Sequence, residues 1–330
     1  MVRVKLLGTG KFLPKQYTSA EELDLRLQKP MGTVLKTSGV QSRYFVDGET
    51  ASDMGFQAAT RALSAAGLTL DEIDCIICAS GTKEQAMPST ASLISEKLGS
   101  KARGTPAFDI DCTCLSFLVA LDMMSYALDA GRFEKIMIIS TEIASVGLDW
   151  NDLESCSLFG DGAAAAIFSC TPDLEQSKIL SSSIETYSEG AHLSEIKGGG
   201  TKYHPRYFLE SDGAPHLFCI DGKKIYKLSA KVLPEFVSQL LKQAKLTIED
   251  IKLVIPHQAS LPALKLVRKR LNLGGNQMMI TAPKYGNTIA SSIPIALHDA
   301  IYENRIERGD IVLLLGTSAG LSIGGIVLEY

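Results

Sequence analysis

The chain has 330 residues, 45% of them apolar, enough for a large buried core and, at roughly 100–200 residues each, about two domains. Its 33 basic and 37 acidic residues are spread along the chain, which gives no global electrostatic footprint for nucleic acid. Seven cysteines in no disulfide-scaffold spacing argue for a reducing, cytoplasmic setting and against a secreted framework.

Met1–Leu7 alternates charged and apolar residues and lacks the long apolar stretch of a signal peptide. Ser52–Ala66 reads as an amphipathic helix. Gly67–Ser80 (GLTLDEIDCIICAS) follows, and its apolar run Ile73–Ala79 reads as a buried strand. Cys75 and Cys78 form a C-x-x-C inside that strand, where they read as inert core residues. The second such pair that a zinc site needs is absent, so no metal is expected. Ala107–Thr141 reads as a strand, a cysteine-bearing turn, an apolar helix and, after Arg132–Lys135, the strand Ile136–Ser140. The helix, Cys114–Leu128, is apolar nearly all round, Met123 and Tyr126 included, the pattern of a helix buried on every side. It carries Asp122 and falls short of the roughly 20 residues of a bilayer span, so no membrane association is expected. The polar stretch Thr171–Ser177, with Pro172, divides the chain. Beyond it come an amphipathic helix at Ile225–Ala244 and the segment Lys245–Gln258 (KLTIEDIKLVIPHQ). Ile280–Thr317 then reads as a strand, an asparagine-bearing turn, an apolar helix and, after Arg305–Arg308, the strand Ile311–Leu315.

These elements form an internal duplication. Gly67–Ser80 and Lys245–Gln258 share a Leu-Thr-apolar-acid-acid-Ile pattern at an offset of 178 residues (245 against 67), and the strand–turn–helix–strand units recur at about 173–175. Two pairs in one order at nearly one offset are beyond chance similarity of a short segment. Each half alternates strands with long helices, which predicts α/β layering with helix-covered sheets. Two halves, 1–172 and 173–330, each with one central buried helix, predict a five-layered α-β-α-β-α arrangement. The turns carrying Cys114 and Asn287 correspond in the two halves, and His257 ends the strand Val254–Pro256. A pseudo-twofold axis would bring all three together.

Each of the three has a chemical rationale. Cys114 opens a helix, whose free N–H groups and partial positive charge are expected to favour thiolate and lower its pKa. Cys112 competes with it but is expected inside the strand end. His257 lies at the end of a strand, where sites of α/β sheets lie. Asn287 stands in Lys284-Tyr285-Gly286-Asn287-Thr288; Gly-Asn is also an ordinary turn former, so its case rests on the coincidence of the three turns. Gly316-Thr317-Ser318-Ala319-Gly320 follows a strand and could offer backbone N–H groups to an oxyanion. Neither this segment nor Gly160-Asp161-Gly162 matches a phosphate-binding fingerprint, so no nucleotide cofactor is expected.

Phe108-Asp109-Ile110 with Cys114 beyond it, Phe159-Gly160-Asp161-Gly162, Pro256-His257-Gln258-Ala259 and Tyr285-Gly286-Asn287-Thr288 occur in an order and spacing that resembles the β-ketoacyl-ACP synthase III family over nearly the whole chain. Gly39-Val40-Gln41-Ser42-Arg43 and Met87-Pro88-Ser89 also look like landmarks of that family. The resemblance implies the thiolase fold, a homodimer and a Cys114–His257–Asn287 triad. Cys114 would accept an acyl group from acyl-CoA or acyl-ACP. His257 and Asn287 would hold a malonyl thioester on acyl carrier protein during its decarboxylative condensation. The backbone N–H groups of Cys114 and Ala319 would form an oxyanion hole, and Met87 would line the partner's acyl pocket. No cofactor is implied beyond the phosphopantetheine that carries each thioester.

The sequence departs from the family pattern at several points. Ser260 replaces the usual Asn after His-Gln-Ala, and Thr317-Ser318-Ala319 replaces a Gly-rich turn that a bulky aromatic often precedes. Thr33 and Leu153 stand where a tryptophan and an arginine commonly sandwich the coenzyme A adenine. The last departure weakens the case for acyl-CoA as donor and admits acyl-ACP, and the set suggests a specialised synthase. Lys265, Arg268 and Lys269 on one helix, with Lys223, Lys224 and Lys227 on the helix before, are expected to form a docking patch for an acidic carrier protein. Pocket lining is expected to depend on loops such as Lys197–Arg206. Two other readings remain at this stage: acyl transfer to an alcohol or amine without condensation, and a non-catalytic paralogue. A degradative thiolase is disfavoured because no cysteine follows Cys219, and Glu84 is out of place for a hydroxymethylglutaryl synthase.

Overall fold

Side-chain alternation along the strands decides which residue faces which layer. In the computed structural model, which describes residues 1–204 and 214–330, the odd and even positions of each central strand belong to different cores. Cys75, Ile77, Ile136 and Ile138 point inward to the same core as Leu253, Ile255, Val312 and Leu314 from the other half. Ile76, Cys78, Met137 and Ile139 face the outer helices Ala51–Ala66 and Thr90–Leu98. Val254, Leu313 and Leu315 likewise face the outer helices Gly222–Ala244 and Leu261–Arg270. Strands buried on both faces read as unbroken apolar runs, as these do.

The two sheets have five strands each, and four strands of one correspond in order and direction to four of the other. One has the order Lys5–Phe12, Gly162–Ser169, Lys135–Glu142, Cys75–Ala79, Ala107–Ile110; the last three run parallel and the first two are antiparallel to their neighbours. The other has the order Val2–Arg3, Lys178–Thr186, Ser322–Glu329, Ile311–Ser318, Leu253–Pro256, with the last pair parallel. Val2–Arg3 thus leaves its own half and pairs with Lys178 and Ile179 of the other.

Between the sheets lie the helices Ser116–Asp129 and Ser292–Tyr302, whose Phe117, Leu121, Ile293 and Leu297 are fully buried in the shared core. The five layers are therefore outer helices, sheet, two central helices, sheet, outer helices. One expectation needs correction. The first central helix is not buried on every side: Met123 is 61% and Tyr126 55% exposed. They form a stripe at helical spacing that turns away from both sheets. Among the described residues no helix is long and apolar enough to cross a membrane.

Leu121, fully buried between the sheets, gives a direct test of this layering. Leu121→Ala is expected to cost about 2–5 kcal/mol in urea unfolding. Lys231→Ala on the exposed face of the helix Gly222–Ala244 should change stability by less than about 0.5 kcal/mol.

Candidate active site

Cys114 sits in a single tight turn, Thr113–Leu115, between the strand Ala107–Ile110 and the central helix that starts at Ser116. Thr113 enters this turn in the left-handed region at φ 48°. The Ser116 hydroxyl holds the turn, accepting from the Cys112 N–H at 2.9 Å and donating to the Thr113 carbonyl at 2.7 Å. Just upstream, the Asp109 carboxylate accepts the N–H groups of Thr90 and Ala91, fixing the start of the helix Thr90–Leu98 to the same strand. Cys112 stands beyond the strand end, half-buried, with its thiol near Ser318.

The expected depression of the Cys114 pKa is not what the structure has. Burial, reinforced by the nearby Glu142 carboxylate, pushes the thiol up to about 12, although the N–H groups of Cys114 and Ala319 reach the sulfur and favour thiolate. Desolvation outweighs the partial charge at the turn. Because the folded pKa lies above the ordinary thiol value, Cys114 is a neutral thiol at pH 7.

His257 follows the strand Leu253–Pro256 and continues its ladder through its N–H to the Leu315 carbonyl at 2.8 Å. Its Nδ1 lies 2.6 Å from Ser292 Oγ, at the start of the second central helix. The same oxygen accepts the Gln258 N–H at 3.3 Å. With the hydroxyl hydrogen on the Nδ1 side, the proton of the neutral ring is on Nε2. Burial lowers the His257 pKa to about 4, so the ring is neutral at pH 7 and offers a donor.

Asn287 is held by backbone on both sides. Its N–H donates to the Leu158 carbonyl at 2.8 Å, and its carbonyl accepts the Gly160 N–H at 3.1 Å, making a parallel bridge between 287 and 159. That approach needs glycine at 160, where a Cβ would fall 2.3 Å from the Tyr285 carbonyl oxygen. The carboxamide accepts from Ile289 N–H through Oδ1 at 2.9 Å and donates one Nδ2 hydrogen to the Ala259 carbonyl at 3.3 Å. The second Nδ2 hydrogen is left for a ligand.

Cys114, His257, Asn287 and Ala319 all line one cavity of about 1130 Å³. Its walls are mostly apolar, among them Ala144, Leu148, Phe159, Phe218, Leu264 and Leu321. It is larger than the roughly 300–1,000 Å³ of ordinary small-molecule pockets. The exposed Lys223, Tyr226 and Lys227 line it too, so it opens to solvent. Two neutral N–H donors, a thiol and two backbone N–H groups on an apolar cavity can stabilise an oxyanion and carry an acyl group.

The sequence profile of 3-Oxoacyl-[acyl-carrier-protein (ACP)] synthase III matches residues 108–188, and that of its C-terminal part matches residues 241–330. The beta-ketoacyl-[acyl-carrier-protein] synthase III of Aquifex aeolicus is 34% identical over 326 residues, covering 99% of each chain. Those of Clostridium perfringens and Neisseria meningitidis are 32% identical over the full length of both partners. The crystal structure of the Aquifex aeolicus protein covers 99% of this chain and all of its own at a TM-score of 0.89, and that of Thermus thermophilus covers 98% of both at 0.88 and 27% identity. The chain belongs to the β-ketoacyl-[acyl-carrier-protein] synthase III family. Its fold is the thiolase fold of those enzymes.

Ser260 and Thr317, two of the departures, line the cavity, while Thr33 and Leu153 do not. Met87 is 84% exposed and lies outside this chain's own cavity. Of the basic residues, Lys265 and Lys269 are exposed on the helix Leu261–Arg270, whose Ala263, Leu264 and Val267 line the cavity. Arg268 is less free than expected: it is half-buried and donates to the Gly275 carbonyl at 3.3 Å. Lys224 pairs with Asp221 at 2.8 Å. Glu84 accepts the Ser52 N–H at 2.6 Å and lies outside the cavity lining. Of the loop 197–206, residues 205 and 206 lie outside the described residues; the neighbouring Glu195 and Ile196 line the cavity. Ser292 and Glu142 were not legible beforehand. The one signal was an acid, Glu142, closing a strand of apolar residues.

A neutral thiol predicts slow alkylation. Iodoacetamide should modify Cys114 at least about a hundredfold more slowly at pH 8 than an ordinary cysteine, with a rate rising about tenfold per pH unit. A plateau below pH 8, read by peptide mass spectrometry, would contradict the raised pKa.

Proposed function

We propose that this chain condenses an acyl group with a malonyl thioester to give a β-ketoacyl thioester, as a β-ketoacyl-ACP synthase III in cytoplasmic fatty acid or specialised acyl-chain biosynthesis. The observation that carries this reading is the convergence of the Cys114 thiol, the His257 ring and the Asn287 carboxamide on one apolar cavity that opens to solvent. The thioesters are carried on phosphopantetheine, a long flexible arm suited to a deep cavity, and no other cofactor is invoked.

In the first step Cys114 attacks the donor thioester. Its S–H proton goes to the leaving thiolate, so one thioester bond forms and one breaks. The N–H groups of Cys114 and Ala319 receive the developing oxyanion. In the second step the malonyl group loses carbon dioxide. The enolate oxygen is held by His257 Nε2–H and the free Nδ2–H of Asn287, both neutral donors in a dry site. The enolate carbon attacks the acyl carbonyl, the C–S bond to Cys114 breaks, and the released thiolate takes a proton from solvent. A neutral imidazole suits this role, because it donates a hydrogen bond to the enolate without quenching it by proton transfer.

Charge and exposure support two partners. Lys265 and Lys269, with Lys223 and Lys227 at the cavity opening, suit an acidic carrier protein delivering an acyl arm. A second copy of this chain suits the open side of the strand Ala107–Ile110. That strand ends its sheet, and Phe108, Met87, Met123 and Tyr126 are exposed at 38%, 84%, 61% and 55%. In such a dimer Met87 would reach the partner's acyl pocket.

Intact-mass spectrometry should show a single acyl adduct on the wild type and none on Cys114→Ala; an adduct that survives the substitution would refute the assignment. His257→Ala and Asn287→Ala should each lower carbon dioxide release from malonyl-ACP by about a hundredfold or more. Since the His257 pKa is depressed to about 4, protonation of this ring should not limit that step between pH 6 and 8, and its contribution should be lost only as pH nears 4. Lys265→Glu with Lys269→Glu should raise KM for ACP substrates about tenfold at low salt, with kcat held. A single-chain mass in light scattering at micromolar concentration would rule out the dimer.

A further inference from the structure

Glu142 ends the strand Lys135–Glu142 fully buried, and the reaction proposed above gives it no part. Its Oε1 accepts the Gly81 N–H at 2.7 Å, and its Oε2 accepts the Thr82 N–H at 2.9 Å and the Thr82 hydroxyl at 2.6 Å. The Ala290 N–H also reaches the carboxyl. All four donors are neutral. They come from both halves of the duplication: Gly81 and Thr82 from the loop after Cys75–Ala79, and Ala290 from the turn Ile289–Ser291.

Gly81 is wedged against the two turns that matter. A Cβ on it would lie 3.1 Å from Thr113 Cα and 3.2 Å from Ile289 Cγ2. Thr113 precedes the nucleophile, and Ile289 donates the N–H that fixes the Asn287 carboxamide. Both are β-branched residues in the left-handed region, at φ 48° and 51°. Such conformations persist only where the surroundings over-determine them. A single buried carboxyl thus ties the loop that braces both residues to the turn that follows Asn287.

We infer that Glu142 is a positioning residue that sets the Asn287 carboxamide relative to the Cys114 sulfur, acting through Gly81, Thr82 and Ala290. The inference rests on the condensing reaction proposed above. The carboxylate, not the acid, is the form that accepts four donors at once. Burial opposes it and raises the pKa to about 8. The titratable groups that face it are the Cys78 thiol from the neighbouring strand and the Cys114 thiol, both pushed up by burial and so neutral. Across the strand pair, where Glu142 opposes Gly162, the Asp161 carboxyl is turned to Ser145 and Val46. Ionisation of Glu142 should therefore appear as a rise in the condensation rate through about pH 8.

The test separates the two half-reactions in the full-length protein. Glu142→Gln should take up one acyl group on Cys114 as the wild type does, by intact mass. Its kcat for carbon dioxide release from malonyl-ACP should fall about tenfold or more, with KM within about twofold and the rise through pH 8 gone. Gly81→Ala leaves the carboxyl in place but drives a methyl between Thr113 and Ile289, and should lower the same kcat by a similar factor if Glu142→Gln does not fold. Either variant, folded by circular dichroism, with wild-type kcat would overturn the inference, as would a parallel loss of acylation. A wild type that condenses beside an unchanged variant overturns this inference alone. A wild type that takes no acyl group overturns the condensing reaction and the inference with it.

Discussion

Everything in the cavity depends on two turns pressed against one glycine. Thr113 and Ile289 adopt left-handed backbone at nearly the same φ, and both meet Gly81 where the halves join. For β-branched residues this conformation costs on the order of 1–3 kcal/mol each. Behind each turn stands a central helix whose apolar side chains are buried between two sheets. The burial of those helices offsets the strain, and it leaves the turns no freedom to relax. That is how a thiol from one half and a carboxamide from the other are held on one wall.

The electrostatic character of the site follows from the burial of its ionisable groups. Burial favours the neutral form of every ionisable group, so the thiol is held up, the imidazole is held down and the buried acid is raised. The N–H groups of Cys114 and Ala319 pull the other way on the sulfur and lose. The result is a set of neutral donors whose hydrogen bonds, in the lower dielectric of buried surroundings, are stronger than they would be in water. The thiol and the imidazole therefore carry no charge at rest.

The duplication explains both the sameness of the scaffold and the difference of its chemistry. The turns Thr113–Leu115 and Ile289–Ser291, and the helices beginning at Ser116 and Ser292, share one offset of 176 residues (289 against 113, 292 against 116). By that register Cys114 matches Ala290 and Asn287 matches Asp111, so the two cavity-lining residues lie in corresponding regions but not at corresponding positions. Glu142 and Ser318 match at the ends of equivalent strands. Ser116 and Ser292 match as well. In one half the hydroxyl closes the turn that carries Cys114, and in the other it bonds His257. One frame holds two different sets of functional groups.

The sequence by itself determined the layers and picked out three residues that line one cavity. Period-two and period-3.6 patterns are local, and a repeat at a fixed offset can be read without knowing any contact. Cys114 and His257 were legible because each sits where a strand gives way to a turn; Asn287 was legible through the repeat alone, since the strand expected at Ile280 does not form and Asn287 follows the short helix Ala282–Tyr285. Three things were decided only by the tertiary structure. The ionisation of Cys114 depends on how much protein surrounds it and on Glu142, which is 28 residues away in sequence (142 against 114). The restraint of Arg268 by Gly275 and the outward stripe of Met123 and Tyr126 depend on which neighbours fold back against those helices. The roles of Ser292 and Glu142 depend on the two halves meeting, because desolvation and hydrogen-bond partnership are properties of the packed volume, and no window of chain contains them.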